Sequence, residues 1–406
     1  MRTRLFLLLT ATAMAGDWPQ FLGPQRDSRA AADEVLPEKM PDDGWTIAWK
    51  AECGAGFAGP VVSGGKVVLF HRLNGMDTVQ AWDAATGKEL WKTARPSTYK
   101  DEFGFDEGPR SSPTVQDGAV YCYGADGTLT ALSLADGKER WRKDLVMELA
   151  SAKGFFGRSC SPLVIGGRVM VAAGGEGAGV AAFAIKDGTL AWKALEEEAG
   201  YASPILIITP DGPRAIFFTR EGIAGLDPAT GALSFREHFR SRQHASVNAA
   251  SPVALGDGRF FVSACYDVGA AVWQTGKAGA LTTTWRAGDK LDCHYSTPVL
   301  VGGHLYGFHG RQESGQELRC ISAADGSVKW RTPLAAGQII AAGNRLLILT
   351  EDGELILSNA SPDKKPDLSA RGEILRGGHR APHALAGGMV FAKDKSRFVA
   401  VKISAK

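Results

Sequence analysis

Six cysteines and eight histidines are the residues of this chain best suited to metal or nucleophile chemistry, and their spacing points to neither. Cys53, Cys122, Cys160, Cys265, Cys293 and Cys320 include no C-x-x-C pair, so no zinc site and no thioredoxin-like dithiol is expected. An even number permits disulfides in an exported chain. Cys122, Cys265 and Cys320 fall in strand-like runs, where a thiol packs as a small apolar group. The expectation is mostly buried thiols, with at most one or two bridges. His294 follows Cys293, and His379 and His383 stand four apart. A metal would need them to converge with an acid, whereas a strand gathers only same-face residues, so neutral hydrogen-bonded imidazoles are the simpler reading. No metal ligand and no catalytic residue is assigned.

Binding chemistry is better represented. Phe57, Arg110, Phe156, Arg158, Tyr201, Asn248, His294, Tyr295, His379 and Arg380 stand in the segments that lead into apolar runs. Aromatic rings mixed with arginines at a shallow mouth suit a peptide, an acidic group or a glycan, although such residues can also simply fill a channel. The longest of these segments are 93–110 and 143–159. In the first, Tyr99, Phe103 and Phe105 alternate with Asp101, Glu102, Asp106 and Glu107 and read as an exposed recognition loop.

The runs that must hold these residues repeat. Residues 111–142, SSPTVQDGAVYCYGADGTLTALSLADGKERWR, are short alternating segments separated by D-G turns, the pattern of hairpin-linked antiparallel strands. Their ending recurs at 81–92, 182–193, 225–236 and 320–331, and the successive Trp steps are 42, 50, 51 and 45 residues. A four-stranded unit of roughly 40–50 residues predicts an all-β β-propeller. Trp49, Trp91, Trp141, Trp192, Phe235, Trp285 and Trp330 are then expected to dock blade on blade. Openings near 59, 112, 161, 203, 251, 297, 338 and 381 count eight blades. Residues 336–375 match least well, with Ile374 or Leu375 where Trp is expected, and seven blades is the alternative. Residues 44–50 read as a fourth strand without predecessors and 381–403 as three strands without a fourth, so the chain ends should complete one blade together.

Residues 1–15, with Arg2, Arg4, an apolar run and Ala13-Met14-Ala15, read as a cleaved secretory signal; the run is far short of the about 20 residues of a membrane span. No Cys follows the cleavage point for lipid attachment. Residues 16–43 form an N-terminal extension and linker, in which Trp18, Phe21 and Leu22 could cover an edge or plug one end of the disc, and 44–406 form a single propeller domain. Loss of Arg2 and Arg4 takes the formal charge from +2 to zero, which offers no reason to expect nucleic acid or an anionic membrane as partner.

The repeat A-x-D-x-x-T-G-K-x-x-W, from Ala81 to Trp91, resembles that of the PQQ-like propellers named after quinoprotein alcohol dehydrogenases. The chain is also similar to bacterial periplasmic PQQ-binding-like repeat proteins, through WPQFLGP within 17–27 and residues 108–115, 159–165 and 301–307. A further resemblance is to the BamB-type propellers of the outer-membrane barrel-assembly machinery. In the dehydrogenases this resemblance implies a quinone resting on a channel Trp, facing adjacent disulfide-bonded cysteines. A calcium held by Glu, Asn and Asp and an Asp base complete that site. This chain has no Cys-Cys pair, Ser159-Cys160 being the nearest approach, and no acidic pair at its blade openings. The expected function is therefore a periplasmic or secreted, monomeric binding scaffold for an envelope protein or peptide, with no cofactor. A PQQ- and calcium-dependent dehydrogenase is the alternative, and a glycan-binding or glycan-processing propeller a second.

Overall fold

The D-G turns decide the local structure. Asp117 and Gly118 take φ of 51° and 67°, the pair of positive values that a tight hairpin of the right twist requires, and they join Thr114–Gln116 to Ala119–Tyr123. The computed structural model describes residues 16–311, 313 and 315–403, so the signal expected at 1–15 lies outside them. Among the described residues, thirty-two strands form eight antiparallel sheets of four. Blades 1 to 7 occupy residues 61–96, 114–144, 163–194, 205–238, 253–287, 299–333 and 337–373. Blade 8 takes three strands from 384–402 and its outermost from Thr46–Glu52, paired from Thr46↔Lys402 to Glu52↔Arg397. The protein is an eight-bladed β-propeller closed by its own two ends.

Neighbouring blades are joined at their outer strands by the recurring ring. The indole N–H groups of Trp49, Trp91, Trp141, Trp192, Trp285 and Trp330 donate to the carbonyls of Ala84, Leu134, Ile185, Pro228, Ala323 and Ser361, each on the next blade. In five of these junctions the ring lies flat on a turn glycine: a Cβ added to Gly137 would stand 2.4 Å from Trp91. A β-bulge precedes each ring, as where Ala81 faces Trp91 but Trp82 faces Glu89, and it turns the ring toward the neighbouring blade. Phe235 has no N–H to donate and stacks instead on Phe260, 6.1 Å away, which stacks on Trp273.

Blade 7 departs from expectation for a topological reason. Its register places Ala370, not Ile374 or Leu375, opposite Leu357, at the position where Cys320 faces Trp330 in blade 6. Blade 8 has no turn there for an indole to cover, because its third and fourth strands come from opposite chain ends. Trp45 covers Gly372 from the other side and donates to the Leu355 carbonyl. Ile374 and Leu375 are buried in the connection to blade 8.

The inner strands carry a second set of joints. Ser112, Ser161, Ser203, Ser251 and Thr297 each accept, through the hydroxyl, the backbone N–H of the matching residue one blade earlier, at 2.9–3.0 Å. Matching the turns that follow places Gln338, Pro382 and Gly59 at the remaining three positions, so three consecutive junctions lack this bond. The Ser-Pro motif read as a strand opening is thus also a blade-to-blade latch.

The N-terminal segment plugs the end of the channel reached by the inner strands. Trp18 bridges to Val62, and Arg26 donates to the carbonyls of Ser161, Pro162 and Pro204. Burial lowers the Arg26 pKa to about 10. The stretch read as a linker continues as a strap across the same face. The Glu34 carboxylate accepts the N–H groups of Gly387 and Gly388, and Leu36 is buried against blades 7 and 8. All six cysteines are free and buried.

Replacing Ser161 with Ala leaves the buried Ser112 N–H without its acceptor and should cost about 1–3 kcal/mol in urea unfolding, whereas Ser161→Thr keeps the oxygen and most of the stability. Equal stability of both variants and wild type would show that the latches do not hold the blades.

Candidate functional site

At the opposite end of the channel the two long loops fold against each other. In the loop between blades 1 and 2, the Asp101 carboxylate accepts the N–H groups of Phe103, Phe105 and Asp106. These bonds hold the Asp101 carboxyl below its usual pKa despite partial desolvation. Arg110 closes the base of the loop: it donates to the Asp106 carbonyl, the Tyr99 hydroxyl and, across the junction, the Phe156 carbonyl. Tyr99, Asp101 and Asp106 are therefore internal supports rather than exposed recognition groups. Phe103 and Phe105 are the side chains that emerge, 49% and 42% exposed.

The loop between blades 2 and 3 supplies the facing rings. The Tyr201 hydroxyl accepts the N–H groups of Phe155 and Phe156 and fixes the turn between Gly154 and Gly157, both at positive φ. Phe156 lies 5.1 Å from Phe103, 5.9 Å from Phe105 and 5.9 Å from Tyr201. Phe155 lies 6.2 Å from Phe103, with the Arg220 guanidinium 5.6 Å from its centroid. Lys153 pairs with Glu102 at 2.6 Å across the two loops. Four phenylalanines thus form one partly exposed surface whose backbone is pinned by buried polar bonds. Phe155 was legible beside Phe156 in G-F-F-G; Glu351, in the E-D-G turn of blade 7, carried no signal.

Two expected members belong to the scaffold instead. Arg158 is buried and donates to the Ser151 carbonyl and hydroxyl, tying its own loop to the end of the helix Leu145–Leu149. Asn248 donates to the carbonyls of Thr219, Arg220 and Phe239 and joins two loops of the ring. Phe57 lies beneath both Arg110 and Arg380, at 5.1 and 5.8 Å. His294 meets the Tyr266 hydroxyl at 2.7 Å. Tyr295, Gln338, Glu351, His379 and Arg380 line a narrow cleft between blades 6, 7 and 8, beside the junctions that lack the latch. Among the described residues no three His, Cys, Asp or Glu side chains are grouped to hold a metal. The tryptophans lie in blade junctions, blade cores, the plug or the outer wall, so none forms a floor at this mouth.

The family model described as outer membrane protein assembly factor BamB matches residues 41–144 and 77–332, and the chain belongs to that family. The chain is 25% identical over 263 residues to the outer membrane protein assembly factor BamB of Moranella endobia (strain PCIT), covering 61% of this chain and 63% of that protein, less than two thirds of its length. To the protein of the same name from Burkholderia pseudomallei (strain K96243) it is 26% identical over 323 residues, 75% of this chain and 74% of that one. Among solved structures, BamB from Moraxella catarrhalis superposes with a TM-score of 0.63 at 13% identity, covering 89% of this chain and 98% of that one. Quinohemoprotein alcohol dehydrogenase from Comamonas testosteroni gives 0.63 at 15%, covering 98% and 82%. At these identities the two structures show a shared fold.

Burial lowers the pKa of His379 to about 4 and of His383 to about 3, from 6.5, so both are neutral at neutral pH. Their contribution to stability is complete above 6.5 and is lost as the pH falls toward the folded values, because the unfolded chain takes up the protons first. His383→Gln should therefore flatten the fall in unfolding free energy between pH 6.5 and about 4, by up to about 1.4 kcal/mol per pH unit. Parallel wild-type and variant curves would contradict this.

Proposed function

With membership of that family as the premise, we propose that the chain is an exported, non-catalytic propeller that holds an envelope protein at the mouth of its channel. The observation that carries this reading is the surface of Phe103, Phe105, Phe155 and Phe156. Rings kept partly in water by a hydrogen-bonded backbone lose little freedom on binding, and aromatic clusters of this kind dominate protein interfaces. The relatives' name, outer membrane protein assembly factor, supports a protein partner in the cell envelope. Among the described residues no helix is long and apolar enough to cross a membrane. The plug leaves the loop-bearing end as the open face of the channel, and a monomer suffices to build it.

The dehydrogenase reading lacks its residues. Cys160 is buried beside Ser159 rather than a second cysteine, and no Trp floors the mouth. No redox step is assigned to this chain.

A partner first identified by crosslinking in the envelope should bind the purified Phe103→Ala/Phe105→Ala variant more weakly by about tenfold or more, as expected for two interface aromatics. The unfolding midpoint should fall only slightly, because both rings are about half exposed on a loop outside the blades. Undiminished capture by the double variant would place the docking surface elsewhere.

A further inference from the structure

The cleft between blades 6, 7 and 8 holds donors without acceptors. The Arg380 guanidinium stands 5.8, 5.5 and 5.4 Å from the rings of Phe57, Phe105 and Tyr295. Its one acidic contact is Nε to Glu351 at 3.5 Å, and among the described residues it makes no hydrogen bond. Arg110, at the same mouth, makes three. Beside Arg380 the buried Tyr295 hydroxyl also lacks a hydrogen-bond partner among the described residues. An unmet buried donor costs about 1–3 kcal/mol, and the Tyr295 hydroxyl stands beside the Arg380 guanidinium as a second donor that an outside acceptor would satisfy.

The chemistry of that group follows from the atoms left open. A guanidinium offers paired parallel N–H groups that match a planar carboxylate, and the nearby phenol and the Gln338 amide add donors. The aromatic rings around Arg380 give an apolar flank to an anion that meets the guanidinium at the mouth. Glu351 meets Arg380 through Nε, and among the described residues the terminal nitrogens have no hydrogen-bond acceptor. We infer that the partly exposed Arg380 rim of this cleft is a carboxylate-binding subsite of the mouth, taking an acidic side chain or a terminal carboxylate whose apolar neighbour rests on Phe105. The inference deepens the docking reading, since it gives the partner segment an acid beside an apolar residue.

The test titrates the full mature chain with N-acetyl-phenylalanine and its uncharged amide, and with acetyl-Phe-Asp-Phe-amide and its Asn counterpart. At least one acid should bind about tenfold or more tightly than its neutral partner, and Arg380→Gln should remove that preference. The acid that binds identifies a terminal or a side-chain source. Equal binding of acid and neutral forms, no binding of either acid up to about 20 mM, or an acid preference that survives Arg380→Gln would overturn the inference. Phe103 does not touch Arg380 and separates the two claims. If Phe103→Ala weakens partner capture while Arg380→Gln does not, docking stands and the subsite fails. If the acid preference stands while Phe103→Ala leaves capture unchanged, the subsite stands and the docking surface fails.

Discussion

Closure of the ring is the constraint on which the rest of the structure depends. Eight twisted sheets around an axis leave no open edge between first and last only if the chain ends meet. Here they meet within one sheet, Thr46–Glu52 against Arg397–Lys402. The junction bonds follow from it: an indole can cap the next blade only where that blade has a turn to cap. This explains why six indoles donate across junctions, why Phe235 compensates by stacking, and why Ala370 needs no ring. The latch hydroxyls fade over the same arc, at Gln338, Pro382 and Gly59, next to the strand exchange.

That arc also shapes the mouth. Where hydroxyl latches are present, the inner strand openings bond directly to one another. Where they are missing, Ser296 donates to the Gly337 carbonyl across one junction, and the Tyr295 hydroxyl beside Arg380 stays without a partner among the described residues. Across the mouth the situation is reversed: Asp101, Arg110, Tyr201 and Arg158 use their polar groups on loop backbone, and the rings of four phenylalanines remain outside. One end of the channel is closed by Arg26 and Trp18, which leaves the loop-bearing end as the proposed docking face.

Much of this was legible because repetition multiplies a weak local signal. D-G and T-G turns, the recurring Trp and the unmatched strands at 44–50 and 381–403 together announced eight blades and their closure. The mouth was legible only in part. Loop position pointed to Phe156, Tyr201, Tyr295 and Arg380, and the structure sets Phe156 against Tyr201 and Arg380 against Tyr295, but loop position could not tell a guanidinium left without a hydrogen bond from one that braces a loop. Arg158 and Asn248 serve carbonyls distant in sequence from the motifs that flagged them, at Ser151, Thr219 and Phe239, and no pattern in the chain encodes those partners. The strap at 28–38 read as a linker because its contacts, Glu34 with Gly387 and Ser28 with Ala341, span more than three hundred residues.

The central claim is that the loop-bearing mouth, and not the strapped face, holds the partner. The most direct measurement places a photocrosslinking side chain in living cells at Phe103 on the mouth, and separately at Val35 on the strap, which is 75% exposed. The account predicts a discrete adduct with an envelope protein from position 103 and none from position 35. An adduct from Val35 with none from Phe103 would contradict it and move the binding face to the plugged end.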